Sequence, residues 1–346
     1  MLKEIKRHTL RALKSIGAFN LVATGQWRRQ RLLILAYHGI SLEDEHCWDP
    51  ALYMTPENLV RRFTVIKKGG YTVLPLDEAV HRLYAQDLPE RALVLTFDDG
   101  NYDFYKQAYP IIEDFGFPVT VYLPTYYTGY NKPVFDVICS YLLWKSQNPV
   151  LNLGTILDQD IRLDLSTERN RTAAHKMILD FVKRKKLSAE EKNDLAARLA
   201  NHLCVDYDEL LAKRILHLMN PNEVAWVSSK GIDIQLHTHR HRTPDDPALF
   251  SREIRDNRRV IKEITNRHTS HFCYPSGVCK PEFLPWLAEM GVRSATTCEP
   301  GLACSSTHAL LLPRLVDSSC LLPEEFEGWL AGVSSMLPRR PLTRSG

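Results

Sequence analysis

Short apolar runs alternate with amphipathic stretches in two parts of the chain, a pattern that predicts parallel β-strands connected by helices. In the first part we expect strands at residues 32–37, 71–74, 92–97 and 119–123. In the second part we expect strands at residues 232–236, 271–274, 294–297 and 310–312. Helices are predicted between them at residues 56–68, 76–85, 102–115, 250–264 and 281–290. The pattern therefore predicts an α/β fold with a parallel sheet or barrel surrounded by helices.

The alternation is interrupted between residues 131 and 220, where helical patterning dominates. Two charged amphipathic helices are expected at 167–186 and 190–203, and Ser188 with Glu191 has the spacing of a capping box. A structureless loop of this length is uncommon in a compact domain, so we interpret the stretch as a helical insertion. It could form a lid, a dimer contact or a docking surface, and the sequence does not choose among these roles.

These patterns divide the chain into four parts. Residues 1–30 form a basic amphipathic segment, and residues 31–130 together with 221–335 form a discontinuous barrel. Residues 131–220 are the insertion. Residues 336–346 are expected to be a flexible tail.

The formal net charge of +3 excludes a globally basic nucleic-acid-binding surface, but the charge is unevenly distributed. Residues 1–31 contain eight Lys or Arg and one Glu, which leaves about −4 on the remainder. On a helical wheel the apolar positions of residues 1–16 share one face and the basic positions the other. Such a helix either lies on an anionic membrane surface or packs against its own domain.

The eight cysteines form no C-x-x-C pair, which favours free thiols and a cytoplasmic location. No run of 18 apolar residues predicts a membrane span. A secretory signal is less expected, because Asn20 interrupts the apolar stretch at 16–24 and no small-x-small cleavage site follows.

Polar clusters follow three predicted strands at the ends where ligands bind in parallel α/β folds. Asp98 and Asp99 follow the strand at 92–97, and His237 and His241 follow the strand at 232–236. Residues 274–277 follow a third strand. Alone, the acidic pair could be a turn and the histidines a solvated loop. Together they supply an Asp/His/His ligand set and a spare carboxylate, which is the composition of a hydrolytic metal site.

These motifs resemble those of the NodB-like polysaccharide deacetylases, carbohydrate esterase family 4. Residues 96–100 match the T-F-D-D-G motif, and residues 237–241 match H-[ST]-x-x-H. Residues 272–277 resemble a degenerate F-R-x-P-x-G motif, and residues 36–40 resemble the Tyr-His segment that opens many members. The resemblance covers about 31–130 and 221–320. It implies a distorted (β/α) barrel of about seven parallel strands.

The resemblance also implies residue roles. Asp99, His237 and His241 would hold a divalent metal, most simply zinc, with cobalt, nickel or manganese as alternatives. Asp98 would be the general base, and Thr238 would support the histidine loop. The turn that would line the substrate groove comprises Tyr274, Pro275, Ser276 and Gly277. The backbone N–H at Ser276 would help to hold the oxyanion.

The chain departs from the family pattern at two points. Cys273 replaces the arginine that supports the catalytic carboxylate, and Arg314 is our candidate to supply that guanidinium from another strand end. The motif that carries the general acid is missing. His38, at a strand end, is our candidate, and His308 is a weaker one.

We therefore expect a metal-dependent hydrolase that deacetylates an N-acetylated sugar in a glycan or glycan precursor. A non-catalytic carbohydrate-binding protein on the same fold and an amidase acting on a non-sugar C–N bond are the alternatives. Trp48, Tyr126 and Tyr127 could stack on sugar rings, although isolated aromatic residues more often serve packing. The oligomeric state is left open.

Overall fold

The computed structural model describes residues 2–157 and 161–337. The part up to the insertion contains, in chain order, α1 (Leu2–Ser15), α2 (Ala18–Thr24), α3 (Gln26–Arg29), β1 (Leu33–Tyr37), β2 (Gly39–Ile40), α4 (Glu45–Trp48), β3 (Tyr53–Met54), α5 (Pro56–Lys68), β4 (Thr72–Val73), α6 (Leu76–Ala85), β5 (Ala92–Phe97), a π-helical turn (Phe104–Ala108), α7 (Tyr109–Phe115) and β6 (Val119–Leu123).

The remaining elements follow in the same order. The region of the insertion contains a 3₁₀ turn (Tyr127–Gly129), α8 (Phe135–Lys145), β7 (Val150–Asn152), α9 (Gly154–Leu157), β8 (Arg162–Asp164), α10 (Glu168–Lys185), α11 (Ala189–His202) and α12 (Tyr207–Ala212). The second barrel part contains α13 (Pro221–Ser229), β9 (Asp233–Leu236), α14 (Pro247–Thr265), β10 (His271–Cys273), a 3₁₀ turn (Pro275–Gly277), α15 (Phe283–Glu289), β11 (Ser294–Thr296), a 3₁₀ turn (Ala309–Leu311), β12 (Leu315–Val316), α16 (Pro323–Ala331) and α17 (Val333–Met336).

Seven parallel strands form the central sheet in the order β11-β10-β9-β6-β5-β1-β12, and β4 pairs beside the start of β5. Every residue of β1, β5 and β6 is buried, as expected for parallel strands covered by helices on both faces. The predicted distorted (β/α) barrel is thereby confirmed.

The predicted strand at 310–312 is wrong except at its last residue. Ala309–Leu311 form a 3₁₀ turn, Leu312 makes an isolated parallel bridge to Thr296 of β11, and the edge strand β12 lies further along the chain. The His308 side chain accepts a hydrogen bond from the Leu310 N–H and caps the turn, while Pro313 separates the turn from the strand. A run of three apolar residues was too short to distinguish a buried turn from a strand.

The helix predicted over 102–115 begins with the π-helical turn before α7. The Tyr109 N–H donates to the carbonyl of Phe104, five residues back, and Pro110 has no N–H to continue a regular ladder. The proline therefore changes the first turns of the helix without ending it.

The insertion has a hydrophobic core of its own, built mainly from α8, α10 and α11. Its centre includes the fully buried Leu142, Ile178, Leu195 and Leu199. The pattern missed the short antiparallel pair β7–β8, because three-residue strands are too short for their alternation to be recognised.

The N-terminal helix α1 packs against α16. Leu10 is fully buried in this contact, and Arg11 and Lys14 form ion pairs of 2.6 and 2.7 Å with Glu324 and Glu327. The structure thus shows a helix packed on its own domain, while contact with a membrane surface stays a prediction. None of the described helices is long and apolar enough to span a membrane. Most of the predicted flexible tail, residues 338–346, lies outside the described residues.

Candidate metal centre

The carboxyl ends of four strands of the central sheet bring the candidate side chains together. His38 follows β1, Asp98 follows β5, His237 follows β9, and Cys273 ends β10. Because the strands are parallel, these ends meet at one mouth of the barrel, where ligands bind in such folds.

A tight turn after β5 separates the two carboxylates. Asp99 and Gly100 adopt left-handed backbone conformations, with φ of 68° and 63°, and the Gly100 N–H donates to the Asp98 carbonyl at 2.9 Å. A Cβ at Gly100 would lie 2.3 Å from Leu123 Cδ1, so any other residue would displace that side chain and would also have to adopt a positive φ. This turn allows Asp98 to be buried while Asp99 stays partly exposed.

Asp99, His237 and His241 lie close enough together that they could hold a divalent metal. The Asp99 Oδ1 atom lies 3.5 Å from His237 Nε2 and 3.2 Å from His241 Nε2. His237 Nδ1 lies 2.8 Å from the Cys273 carbonyl, which can only accept. That bond assigns the ring proton to Nδ1 and leaves Nε2 free as a ligand. Oxygen and imidazole donors within 4.8 Å of one another suit a first-row divalent ion.

The electrostatics of Asp99 agree with a ligand role. Desolvation alone would raise its pKa, but the charge and hydrogen bonds of His241 and His237 hold the pKa well below its usual range. The carboxyl is therefore ionised, as metal coordination requires. Desolvation also lowers the pKa of His241, and the Asp99 charge more than offsets this, so the pKa is raised.

A second set of possible ligands, Asp98, His237 and Cys273, lies within the same distance. It fits a metal less well, because both oxygens of Asp98 are already bonded to Arg314. Burial also raises the pKa of the Cys273 thiol, which disfavours the thiolate that a metal would need. The Asp99 set is therefore the better candidate for holding a metal ion.

Two buried residues of α14 hold the histidine loop, and the sequence analysis missed both. The Asn257 side chain accepts from the His237 N–H at 2.9 Å, and Glu253 accepts from the Arg240 N–H at 2.8 Å and from Arg242 Nε at 2.8 Å. The sequence pattern that could have indicated them is a pair of polar residues four positions apart on the apolar face of a helix, between Phe250 and Ile261.

Thr238 supports the same loop, in the position that the resemblance implied. Its Oγ1 accepts a hydrogen bond of 3.0 Å from the Arg242 N–H. Thr238 and His241 have φ of 61° and 53°, conformations that side chains rarely adopt. The surrounding hydrogen bonds therefore hold a strained loop in the conformation that presents His241.

Arg314 makes two parallel hydrogen bonds of 2.7 Å to the Asp98 carboxylate. The guanidinium is fully buried and also donates to the Thr297 carbonyl and to Thr96 Oγ1. Burial alone would raise the pKa of Asp98, but the Arg314 charge and hydrogen bonds lower it to about 2. The expected placement of Arg314 is thus found, while its catalytic role stays a prediction.

Cys273 occupies the place of the motif arginine. Its Sγ lies 3.5 Å from Asp98 Oδ2 and accepts from Arg314 Nη2 at 2.9 Å. Arg314 immediately precedes β12, and its guanidinium reaches the Asp98 carboxylate beside the small Cys273 thiol. A larger side chain at Cys273 would occupy the volume that Arg314 needs.

The structure also locates the two candidate acids. His38 Nε2 lies 3.6 Å from Asp98 Oδ2, the carboxylate oxygen that Cys273 Sγ also approaches. The buried Nδ1 atom of His38 has no hydrogen-bond partner among the described residues. The His308 side chain instead caps its own turn. The geometry therefore favours His38 as the proton donor, and that role remains a prediction.

In the turn that follows β10, Ser276 is exposed with φ of 54°. Tyr274 and Pro275 are buried, and the Tyr274 hydroxyl donates to the Leu310 carbonyl at 3.0 Å. A Cβ at Gly277 would lie 3.0 Å from that of Cys298, so this turn packs closely. Any contact of this turn with a substrate thus falls mainly to Ser276 and to backbone atoms.

Comparisons with known proteins fit this geometry. Residues 175–295 match the family model described as polysaccharide deacetylase, a span that includes His237 and His241 but not Asp98. A poly-β-1,6-N-acetyl-D-glucosamine N-deacetylase of Escherichia coli K12 is 31% identical over 102 residues, 29% of this chain and 15% of that protein. The putative polysaccharide deacetylase YxkH of Bacillus subtilis is 30% identical over 94 residues, 27% of this chain and 32% of that protein. The matches thus span well under two thirds of either relative.

Solved structures share the fold over most of the chain. The deacetylase PplD of Streptococcus pyogenes, solved in complex with acetate, has a TM-score of 0.57 at 19% identity and covers 87% of this chain and 98% of its own. IcaB from Ammonifex degensii has a TM-score of 0.54 at 14% identity and covers 88% of this chain and 97% of its own. At these identities the likeness concerns the fold alone.

Proposed function

We propose that this chain, of which residues 175–295 match the model of the polysaccharide deacetylase family, is a NodB-like, metal-dependent hydrolase that removes N-acetyl groups from amino sugars of a polysaccharide or glycan precursor. The observation that carries the proposal is an Asp/His/His ligand set with an ionised carboxylate, that of Asp98, next to it but not part of it. A site that bound a metal or a sugar without catalysing hydrolysis would not need this second carboxylate.

A divalent ion held by Asp99, His237 and His241 would polarise the acetamide carbonyl and make water more acidic. Asp98 then accepts a proton from the attacking water, and the carbonyl carbon gains the new C–O bond. With a pKa of about 2, Asp98 is fully ionised at neutral pH but is a weak base. Asp98 would therefore need a metal beside it to make the attacking water acidic enough to lose its proton. This is why we place the base and the ligand set in one site.

The leaving nitrogen must gain a proton when the C–N bond breaks, so that the products are acetate and a free amine. We assign this donation to Nε2 of His38, which lies beside Asp98. Arg314 keeps the Asp98 carboxylate oriented through its two parallel bonds. The backbone N–H at Ser276 is our candidate for holding the oxyanion that forms at the carbonyl.

Zinc is the metal that we propose first, since imidazole and carboxylate ligands suit it, and cobalt, nickel and manganese are alternatives. For the substrate we propose polymers of N-acetylglucosamine. The name of the Escherichia coli relative supports this choice.

We further propose a cytoplasmic protein that contacts the membrane surface through residues 1–16. The eight cysteines are free thiols, and Ile16 and Leu21 are about three quarters exposed beside the basic helix α1. Co-sedimentation with anionic and with neutral vesicles tests the contact. Equal binding to both, or to neither, contradicts it.

The decisive experiment is acetate release from N-acetylglucosamine oligomers by the purified, metal-loaded protein. We expect Asp98→Asn to keep the metal and lose turnover, and His237→Ala to lose both. Full activity of the Asp98 variant would show that the base is assigned wrongly. If no acetylated glycan releases acetate while metal is shown to be bound, the deacetylase proposal fails.

A further inference from the structure

A cavity lies between the insertion and the loop that precedes β3, apart from the metal centre. It has a volume of about 570 Å³, within the range of about 300–1,000 Å³ that is typical of small-ligand sites. Its lining comes from α8, from α10 and from residues 47–51, and it shares no residue with the metal centre.

The cavity combines aromatic rings with polar groups. Trp48 and Trp144 are each partly exposed there and are held by Tyr141, which packs edge-on against Trp48 at 5.5 Å and at a tilt against Trp144 at 5.8 Å. Each indole is therefore fixed in orientation and keeps part of its surface open to the cavity. A partly exposed aromatic ring with polar groups beside it suits a pyranose, since one sugar face presents C–H groups and its rim presents hydroxyls.

One face of α10 supplies the polar groups. Glu168, Arg171, Thr172 and His175 line the cavity at positions i, i+3, i+4 and i+7, which share one side of a helix. Arg171 is anchored by a bond of 2.8 Å from Nη1 to the Leu165 carbonyl. The Thr172 hydroxyl donates to the Glu168 carbonyl, and His175 Nε2 lies 3.0 Å from the Asp136 carbonyl. The hydrogen-bonding groups that this face leaves for a ligand are therefore mainly the Glu168 carboxylate and the remaining N–H groups of Arg171.

Acidic and basic side chains are mixed along the lining of the cavity. Asp49 and Glu168 line it together with Arg171 and His175, and His175 also forms an ion pair of 2.7 Å with Asp136. Partial burial lowers the pKa of His175, but this ion pair outweighs the burial, so the pKa is raised. Because charges of both signs lie side by side, the lining favours an uncharged ligand that is rich in hydroxyl groups over a strongly charged one.

The cavity is linked to the metal centre through Tyr53. Tyr53 of β3 pairs with Gly39, the residue after His38. The Tyr53 ring lies 5.8 Å from the Trp48 ring. Tyr53 thus contacts a tryptophan of the cavity and belongs to a strand that pairs with the residue after His38.

We propose that this cavity is a distal sugar-binding subsite, in which an uncharged residue of the glycan chain stacks on Trp48 and Trp144 while another residue of the same chain lies at the metal centre. The inference rests on the proposed function only in taking the substrate's own chain as the ligand. It gives the insertion a role in selecting long substrates over short ones.

The test compares the dimer and the hexamer of N-acetylglucosamine. Trp144→Ala removes one stacking face, and Thr172→Trp fills the cavity from an exposed helix position that leaves the core intact. We expect both variants to raise KM for the hexamer by roughly three- to tenfold and to leave kcat/KM for the dimer unchanged. Trp226→Ala, a 40% exposed tryptophan outside the cavity, is the matched control and should change neither.

Calorimetric titration of the hexamer into Asp98→Asn, alone and combined with Trp144→Ala or with Thr172→Trp, measures binding without turnover. If the cavity variants bind the hexamer as tightly as their parent, or affect dimer and hexamer equally, the subsite is refuted even though the deacetylase proposal stands. If hexamer binding depends on Trp144 and no acetate is released by the unmodified protein, the deacetylase proposal fails and the subsite stands.

Discussion

Replacing Arg314 by methionine should destabilise the metal-free protein by about 3–5 kcal/mol, the usual cost of removing one partner of a buried ion pair. The Asp98 carboxylate is 2% exposed and loses both of its 2.7 Å bonds in this variant. Methionine fills most of the space of the arginine stem, so the main loss is the charge.

The pKa of Asp98 supplies an independent magnitude. Burial would raise it, but Arg314 lowers it from 3.8 to about 2, which at about 1.4 kcal/mol per pKa unit corresponds to about 2 kcal/mol of net stabilisation. Because the folded-state pKa is depressed, this stabilisation is present above pH 4 or so and is lost as the pH falls through about 2. The methionine variant loses more than this net value, since it leaves the burial cost uncompensated.

Urea unfolding at neutral pH with a chelator present measures the effect in Asp98→Asn, Arg314→Met and the double variant. The double variant buries no charge, so it should be more stable than Arg314→Met alone, with a coupling free energy of about 2 kcal/mol or more. Arg293→Met, at a largely exposed ion pair, is the control and should cost at most about 1 kcal/mol. If the two single effects simply add, Arg314 does not stabilise the ionised carboxylate and the reasoning is refuted.

Three further predictions concern the turn, the loop and pH. Gly100→Ala should destabilise by about 1–3 kcal/mol in thermal unfolding, because a Cβ clashes with Leu123 at positive φ; an unchanged midpoint contradicts this. Glu253→Gln should weaken metal binding roughly 10- to 100-fold by calorimetry, whereas Asp256→Asn should not. Burial lowers the pKa of His217 from 6.5 to about 4, so stability is full above pH 6.5 and falls on acidification towards pH 4. His217→Gln should reduce that fall, and an identical pH profile of unfolding would count against it.

The elements that the sequence predicted well are those whose pattern is local. Residues 92–97 and 119–123 match β5 and β6 because fully buried parallel strands are continuous apolar runs. The ligand set was likewise visible, because each motif is contiguous and follows a predicted strand. The failed strand at 310–312 shows the limit, since three apolar residues fit a buried turn equally well.

What the sequence did not reveal depends on contacts between distant segments. Glu253 and Asn257 are ordinary polar residues of a charged helix until the fold brings them under the histidine loop. Arg314 could be suggested only because Cys273 had replaced the motif arginine, and its two bonds to Asp98 join residues more than two hundred positions apart. The cavity beside Trp48 requires the packing of a loop on two insertion helices, which no periodicity encodes.

The position of the insertion has a consequence for how the chain reaches its native state. β6 and β9 are hydrogen-bonded neighbours, yet the insertion separates Leu123 from Asp233 in sequence. Joining the ends of a flexible loop of about a hundred residues costs about 4 kcal/mol of chain entropy, whereas a loop of about ten residues costs about 2 kcal/mol. If the insertion condenses first around its own core, its ends come together and most of that difference disappears. The central sheet would then close fastest when the segment that interrupts it is already folded.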